Sequence, residues 1–166
     1  MRAYLVSLVL VAALALITAG CGKTREQKKT ESDLNAKVMA LRQDVESNLA
    51  GFTDLQAKLD ATIKTHNELV KKFAKKMKGH TADDVVAAQK GLDAAKGEAE
   101  GALSALTAYD EKMDHAQVML KLNQDIDSLT KIKNVVAGAV SAANAAIASH
   151  DKIKSELMAK APRKAK

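Results

Sequence analysis

The stretch Leu34–Phe73, LNAKVMALRQDVESNLAGFTDLQAKLDATIKTHNELVKKF, decides the fold class. Steps of three and four residues pick out Leu34, Val38, Leu41, Val45, Asn48, Phe52, Leu55, Leu59, Thr62, His66, Leu69 and Phe73. At that spacing a side chain returns to one face of an α-helix, so these positions form a single seam. Where the seam turns polar, at Asn48 and Thr62, the next residues are Leu49 and Ile63, as expected when a helix drifts against a strict heptad. The spacing predicts a helix over 33–78, about 70 Å long at a rise of ~1.5 Å per residue.

Lys78-Gly79-His80-Thr81-Ala82-Asp83-Asp84 is the clearest punctuation that follows. Gly79 suits the left-handed position after a helix, Thr81 suits an N-cap, and Asp83 and Asp84 suit the positive end of a new helix dipole. The second helix, expected over 82–113, carries Val85, Ala88, Leu92, Ala95, Ala99, Ala102, Leu106, Tyr109 and Met113 on its seam. Gly91, Gly97 and Gly101 lie off that seam and mark where this helix is expected to bend or fray, since glycine costs about 1 kcal/mol against alanine in a helix.

A third seam, expected over 116–160, is out of phase with the second: Met119, Leu122, Ile126, Leu129, Ile132, Val136, Val140, Ala143, Ile147, Ile153 and Leu157. Asp114-His115-Ala116-Gln117 has the spacing of a capping box, with Gln117 three residues after Asp114. A turn between Met113 and Met119 gives an all-α, elongated antiparallel three-helix bundle. A local stammer there would instead give a long two-helix hairpin or coiled coil. The capping box favours the turn.

Composition agrees. Aromatic residues make up 2% of the chain and tryptophan is absent, which disfavours a β-rich fold. The 166 residues carry a net charge of +6, and a chain of this size holds one domain with a substantial core.

Met1-Arg2 is a short positive start, and Ala3 to Ile17 is an apolar run interrupted only by Ser7. Roughly 15 residues fall short of the ~20 that a membrane-spanning helix needs, so the run reads as a signal peptide over 1–20. The run closes with Leu16-Ile17-Thr18-Ala19-Gly20-Cys21, and Cys21 is the only cysteine. Ala19-Gly20 before Cys21 resembles the lipobox of bacterial lipoproteins, although that family more often has Leu, Val or Ile where this chain has Thr18. The resemblance implies cleavage before Cys21 and lipidation of Cys21, giving a membrane anchor; several acyl chains hold a protein far more firmly than one. In lipoproteins of this kind Gly22 rather than aspartate after the cysteine implies export to the outer membrane, where the cell has one.

Residues 21–32 read as anchor and polar tether, because Gly22 to Ser32 contains no apolar residue. Lys23, Arg25, Lys28 and Lys29 would lie beside lipid headgroups. Pro162 stops the last helix, and 161–166 form a basic tail with Arg163, Lys164 and Lys166. Lys71, Lys72, Lys75, Lys76 and Lys78 are the densest positive cluster. Together with the tail they are candidate contacts for an anionic partner, either a wall polymer or an envelope protein. Nucleic acid is not expected, for want of aromatic residues to stack bases.

No nucleophile elbow, P-loop, dinucleotide fingerprint or paired-histidine metal motif occurs in the sequence, and no enzyme activity, cofactor or metal is expected. His66 sits on a seam, where a polar residue sets register. Glu111 with His115, and Asp110 with Asp114, are four residues apart and form the best metal or acid–base candidates. Over the lipobox, the heptad helix and terminal Lys166 the chain resembles small helical lipoproteins of the murein-lipoprotein type, whose C-terminal lysine is linked to peptidoglycan. It departs from them in its turns and in Pro162. The leading expectation is a lipid-anchored structural or interaction rod. The alternative is a binding module that sequesters a ligand or inhibits an envelope enzyme, with methionines and the alanine-rich second helix as its adaptable surface. Oligomerisation is open, since a two-helix hairpin needs a partner to cover its seams.

Overall fold

The computed structural model describes residues 23–106 and 113–159. They form α1 (Arg25–Ala50), α2 (Phe52–Lys72), α3 (Asp83–Ala105) and α4 (His115–Ala159), with no strand among the described residues. The protein is an all-α helical bundle. It divides into two compact units, Met1–Glu46 with Ala99–Lys133 and Ser47–Glu98 with Asn134–Lys166. Each unit draws on three helical stretches.

The first helix begins earlier than the apolar pattern indicates. Thr24 and Gln27 form a capping box: the Gln27 N–H donates to Thr24 Oγ1 at 3.2 Å, and the Thr24 N–H donates to Gln27 Oε1 at 2.9 Å. Residues 25–32, expected as tether, are therefore helical. Glu31 (2% exposed), three residues before the first leucine of the seam, and Asn35, just after it, are both buried, so the buried face includes polar residues there.

The expected single helix over 33–78 is two helices. Gly51 separates them, with its N–H donating to the Asn48 carbonyl at 3.2 Å, three residues back instead of four. Beyond Gly51 the α-helical pattern resumes from the Gly51 carbonyl, which accepts from Leu55 N–H. Val38, Val45, Phe52, Leu55, Leu59, His66 and Leu69 are buried as the spacing requires. Asn48 is exposed, and Leu49 is half-buried instead, beside the break.

α2 stops at Lys72, short of Lys78. The Phe73 N–H closes it onto the Leu69 carbonyl at 2.8 Å, and the chain then turns through Lys76, Met77 and His80. Met77 is buried with Leu69 and Leu157, against Phe73 and Ile153, and so anchors this connection. Gly79 takes φ +93°, the left-handed conformation expected of it. The following helix starts at Asp83 with Ala82, not Thr81, in the preceding position; the Ala82 carbonyl accepts from Val86 N–H, and Asp84 Oδ1 accepts from Val85 N–H.

Side-chain pairs set the directions. In the second unit Gln56 bonds Asp93 at 2.6 Å and Gln89 bonds Asp60 at 2.5 Å, so α3 descends as α2 rises. In the first unit His115 meets Glu31 at 2.7 Å and Lys133 meets Asp44 at 2.6 Å, so α1 and α4 run parallel. α4 opens with the expected capping box: Gln117 N–H donates to Asp114 Oδ1 at 2.8 Å, and Asp114 N–H donates to Gln117 Oε1 at 3.3 Å. Helix ends by Ala105 and restarts at His115, which agrees with a turn in place of a continuous helix. Tyr109 and the rest of 107–112 lie outside the described residues.

The buried seam of α3 is Val85, Ala88, Leu92, Ala95 and Ala99, and that of α4 includes Val118, Leu122, Ile126, Leu129, Val136, Ala143, Ala146 and Leu157. Each fully buried leucine contributes about 2 kcal/mol through area removed from water, and an alanine well under half of that.

α3 neither bends nor frays at its glycines; it is helical through Gly91, Gly97 and Gly101. A Cβ at any of the three meets nothing within 4 Å. Each of Gly91→Ala, Gly97→Ala and Gly101→Ala is therefore expected to raise unfolding free energy by about 1 kcal/mol, read as a higher urea midpoint at unchanged slope.

Candidate functional site

Among the described residues, buried ionisable side chains from different helices meet in one cluster in each unit, while buried Asp125 pairs within α4 with Lys121 at 3.1 Å. In the first unit Glu31, near the start of α1, takes Lys23 Nζ at 3.0 Å and His115 Nδ1 at 2.7 Å. Lys23 reaches back from just before the helix, and His115 is the first residue of α4. The contact explains why a chain with no apolar residue between Gly22 and Ser32 is ordered against the bundle. His115 was expected beside Glu111, but Glu111 lies outside the described residues and the histidine's partner is Glu31. Asp110 lies outside as well, and Asp114 serves as a helix cap.

The second unit holds the more unusual arrangement. His66 of α2 and His150 of α4 are each 6% exposed, with ring centroids 5.2 Å apart and planes inclined by 56°. His150 Nε2 lies 3.2 Å from His66 Nδ1, and His150 Nδ1 lies 3.3 Å from the Ala146 carbonyl and 3.7 Å from Asp84 Oδ2. A carbonyl can only accept, so His150 carries its proton on Nδ1. With both rings neutral, its Nε2 accepts from the His66 Nδ1–H, and the His66 Nε2 carries a lone pair.

That nitrogen is not sealed in. His66 has no other protein partner, and no fully buried side-chain nitrogen or oxygen lacks one among the described residues. Both histidines border a cleft of about 480 Å³ between α2 and α4, a size within the range of small-molecule sites. α2 contributes Lys58, Thr62, Thr65 and Leu69 to its walls; α4 contributes Asn144, Ile147, Asp151 and Lys154. Thr62 donates its hydroxyl proton to the Lys58 carbonyl at 2.8 Å.

Burial first, and the neighbouring His150 second, push the pKa of His66 below the ordinary imidazole value; His80 adds to this, while Asp84 and Asp83 oppose it. Among the described residues no group of three or more histidine, cysteine, aspartate or glutamate side chains converges to hold a metal ion.

The sequence picked out His66 as a register-setting residue and missed His150. The third seam as read steps from Ile147 to Ile153, a gap of six residues that no helical face permits. His150 fills it at helical spacing, three residues after Ile147 and three before Ile153. Of the cationic candidates, Lys71 and Lys72 occupy the last turn of α2, where positive charge suits the helix dipole. The Lys72 ammonium also lies 5.3 Å above the Phe73 ring. Lys75, Lys76 and Lys78 are exposed in the connection that follows. Cys21, Arg163, Lys164 and Lys166 lie outside the described residues.

Two stability predictions follow from these clusters. Glu31→Ala leaves Lys23 and His115 without their shared partner and is expected to cost about 2 kcal/mol. Glu46→Ala, which removes an exposed pair with Arg42 at 2.8 Å, is expected to cost about 0.4 kcal/mol or less; parallel urea titrations make the comparison. For His66, a pKa lower in the folded than in the unfolded chain means that the unfolded state binds the proton first. Its penalty is absent above the unfolded value of about 6.5 and grows as pH falls through it. Denaturation midpoints from pH 8 to pH 5 should therefore fall more steeply for the natural chain than for His66→Gln.

No protein-family model, curated protein or solved structure matches this chain, so the account of its function rests on the residues and geometry above.

Proposed function

We propose that this chain is a lipid-anchored, non-enzymatic helical protein of the cell envelope that acts by binding. The observation that carries the reading is Leu16 to Cys21, small residues and a lone cysteine closing an apolar run. The bundle supports it from the other side. Among the described residues no helix is long and apolar enough to cross a membrane. The Lys23 to Glu31 contact begins two residues after that cysteine, so on this reading folded structure follows soon after the lipidated residue.

In its first form the protein is an interaction rod, held at the periplasmic face of an outer membrane where the cell has one. It would contact an anionic wall polymer or another envelope protein through Lys71, Lys72, Lys75, Lys76 and Lys78 or through the tail that ends at Lys166. The cleft between α2 and α4 favours a second form, a module that holds a small ligand. Both forms share the anchor.

The anchor is tested by expressing the natural chain and Cys21→Ser in a bacterium with an outer membrane and fractionating the envelope. The natural chain is expected in the membrane fraction with an intact mass raised by the added acyl groups. The variant should lose that mass and move to the soluble periplasmic fraction. An unmodified natural chain would remove the basis for the proposal.

A further inference from the structure

The cleft of the second unit has a feature that a merely structural histidine pair does not need. A register-setting pair is complete once its two imidazoles bond each other and a backbone carbonyl. With both rings neutral, the chain of donors runs from His66 through His150 to Ala146 and leaves one basic nitrogen over, Nε2 of His66, a residue that lines an open cleft.

Protonating that nitrogen breaks nothing. The Nδ1–H of His66 still donates to His150 Nε2, and His150 Nδ1–H still faces the Ala146 carbonyl. The only change is that Nε2 of His66, a cleft-lining residue, becomes a donor. A second proton, on His150 Nε2, would destroy the bond between the rings. The pair thus accepts one proton without structural loss, and accepts it on the cleft side.

The groups around His66 indicate what would hold that proton there. From α2 comes Lys58; from α4 come His150, Asp151 and Lys154. Asp84 and Asp83 of α3 favour a charged His66, and His80 of the preceding turn disfavours it. Along the cleft itself two lysines stand against one aspartate, so a protonated His66 raises a positive excess that nothing in the cleft balances. The missing partner has to be an anion, and Leu69 and Ile147 offer apolar wall to its body.

We propose that the α2–α4 cleft binds a small organic anion, a carboxylate or a phosphate ester, together with one proton that enters at His66 Nε2. This rests on the ligand-holding form of the proposed function and names the chemistry of its ligand. The imidazolium donates to an anion oxygen, and Lys58 and Lys154 at the two ends of the cleft supply attraction. The bare lone pair repels an anion in the neutral state, so uptake strengthens with acidification. For one linked proton the affinity rises by up to about tenfold per pH unit.

Histidine C2–H NMR titrations of the purified full chain test this, run in chloride, inorganic phosphate and acetate at equal ionic strength. The midpoint of His66 is expected to rise in phosphate or acetate relative to chloride, while His80 is unmoved. The rise should shrink at least several-fold in the Lys58→Gln, Lys154→Gln double variant. His66→Gln, whose amide keeps a donor but cannot titrate, should bind with the pH dependence gone. Equal midpoints in all three salts would overturn the proposal, as would a rise that survives loss of both lysines. Native mass spectrometry on gently purified protein separates this failure from that of the reading beneath it. A bound neutral or cationic molecule displaced by substitutions in the cleft would keep the ligand-holding module and remove the anion, whereas an empty cleft together with salt-independent midpoints would remove both.

Discussion

Each unit of this bundle depends on a buried polar contact between parallel helices, Glu31 with His115 in the first and His66 with His150 in the second. The apolar seams by themselves specify register weakly. Ala88, Ala95, Ala99, Ala143 and Ala146 are all buried seam positions, and alanines allow close approach while contributing little area apiece. Helices packed on such seams can slide by a heptad with modest loss. A polar residue on the seam removes that freedom, because any shifted register leaves its hydrogen-bonding group buried without a partner. Gln56 with Asp93 and Gln89 with Asp60 repeat the constraint between α2 and α3 on an exposed face, at lower energetic weight.

Local signals then decide where helices begin and end. Two capping boxes, Thr24 with Gln27 and Asp114 with Gln117, open α1 and α4. The connection between α2 and α3 is held by the left-handed Gly79 and by Met77, whose burial with Leu69 and Leu157 ties the turn to the core. The exposed glycines of α3 have no such task, and the helix runs through them because its buried face, Val85 to Ala99, is uninterrupted.

The fold class and most of the seams were legible in the sequence, since a three-four spacing of apolar residues depends only on helix geometry. What escaped was polar. Glu31 and Asn35 are buried polar residues of the first seam, and Glu31 is held by Lys23 and by a histidine 84 positions along the chain, a pairing no local pattern displays. Thr24-x-x-Gln27 was a readable start signal, overlooked because the residues after it looked too hydrophilic to pack. His150 was readable in part, as the residue that fits the gap between Ile147 and Ile153. That its partner is His66 was not, for the same reason that Glu31 was missed. The break at Gly51 stayed hidden because the seam passes across it without changing phase: Val45, Phe52 and Leu59 are all buried.

The two polar contacts differ in how they respond to their surroundings. Glu31 is a carboxylate with a lysine already on it, so the charges of that pair balance each other. The His66–His150 pair contains no opposite charge of its own. Its nearest compensating group, Asp84, is 3.7 Å from His150 and about half exposed, too hydrated to neutralise a buried imidazolium by itself. A proton on the pair must therefore be stabilised from elsewhere, and the open side of His66 is the cleft. The bundle thus places one well-compensated polar contact in the first unit, suited to holding helices in register near the start of the chain. It places one uncompensated contact in the second, whose charge state is tied to what the cleft contains. A helical protein that needed only rigidity would be served by two contacts of the first kind, and the presence of the second kind is the strongest physical reason to read this protein as more than a spacer.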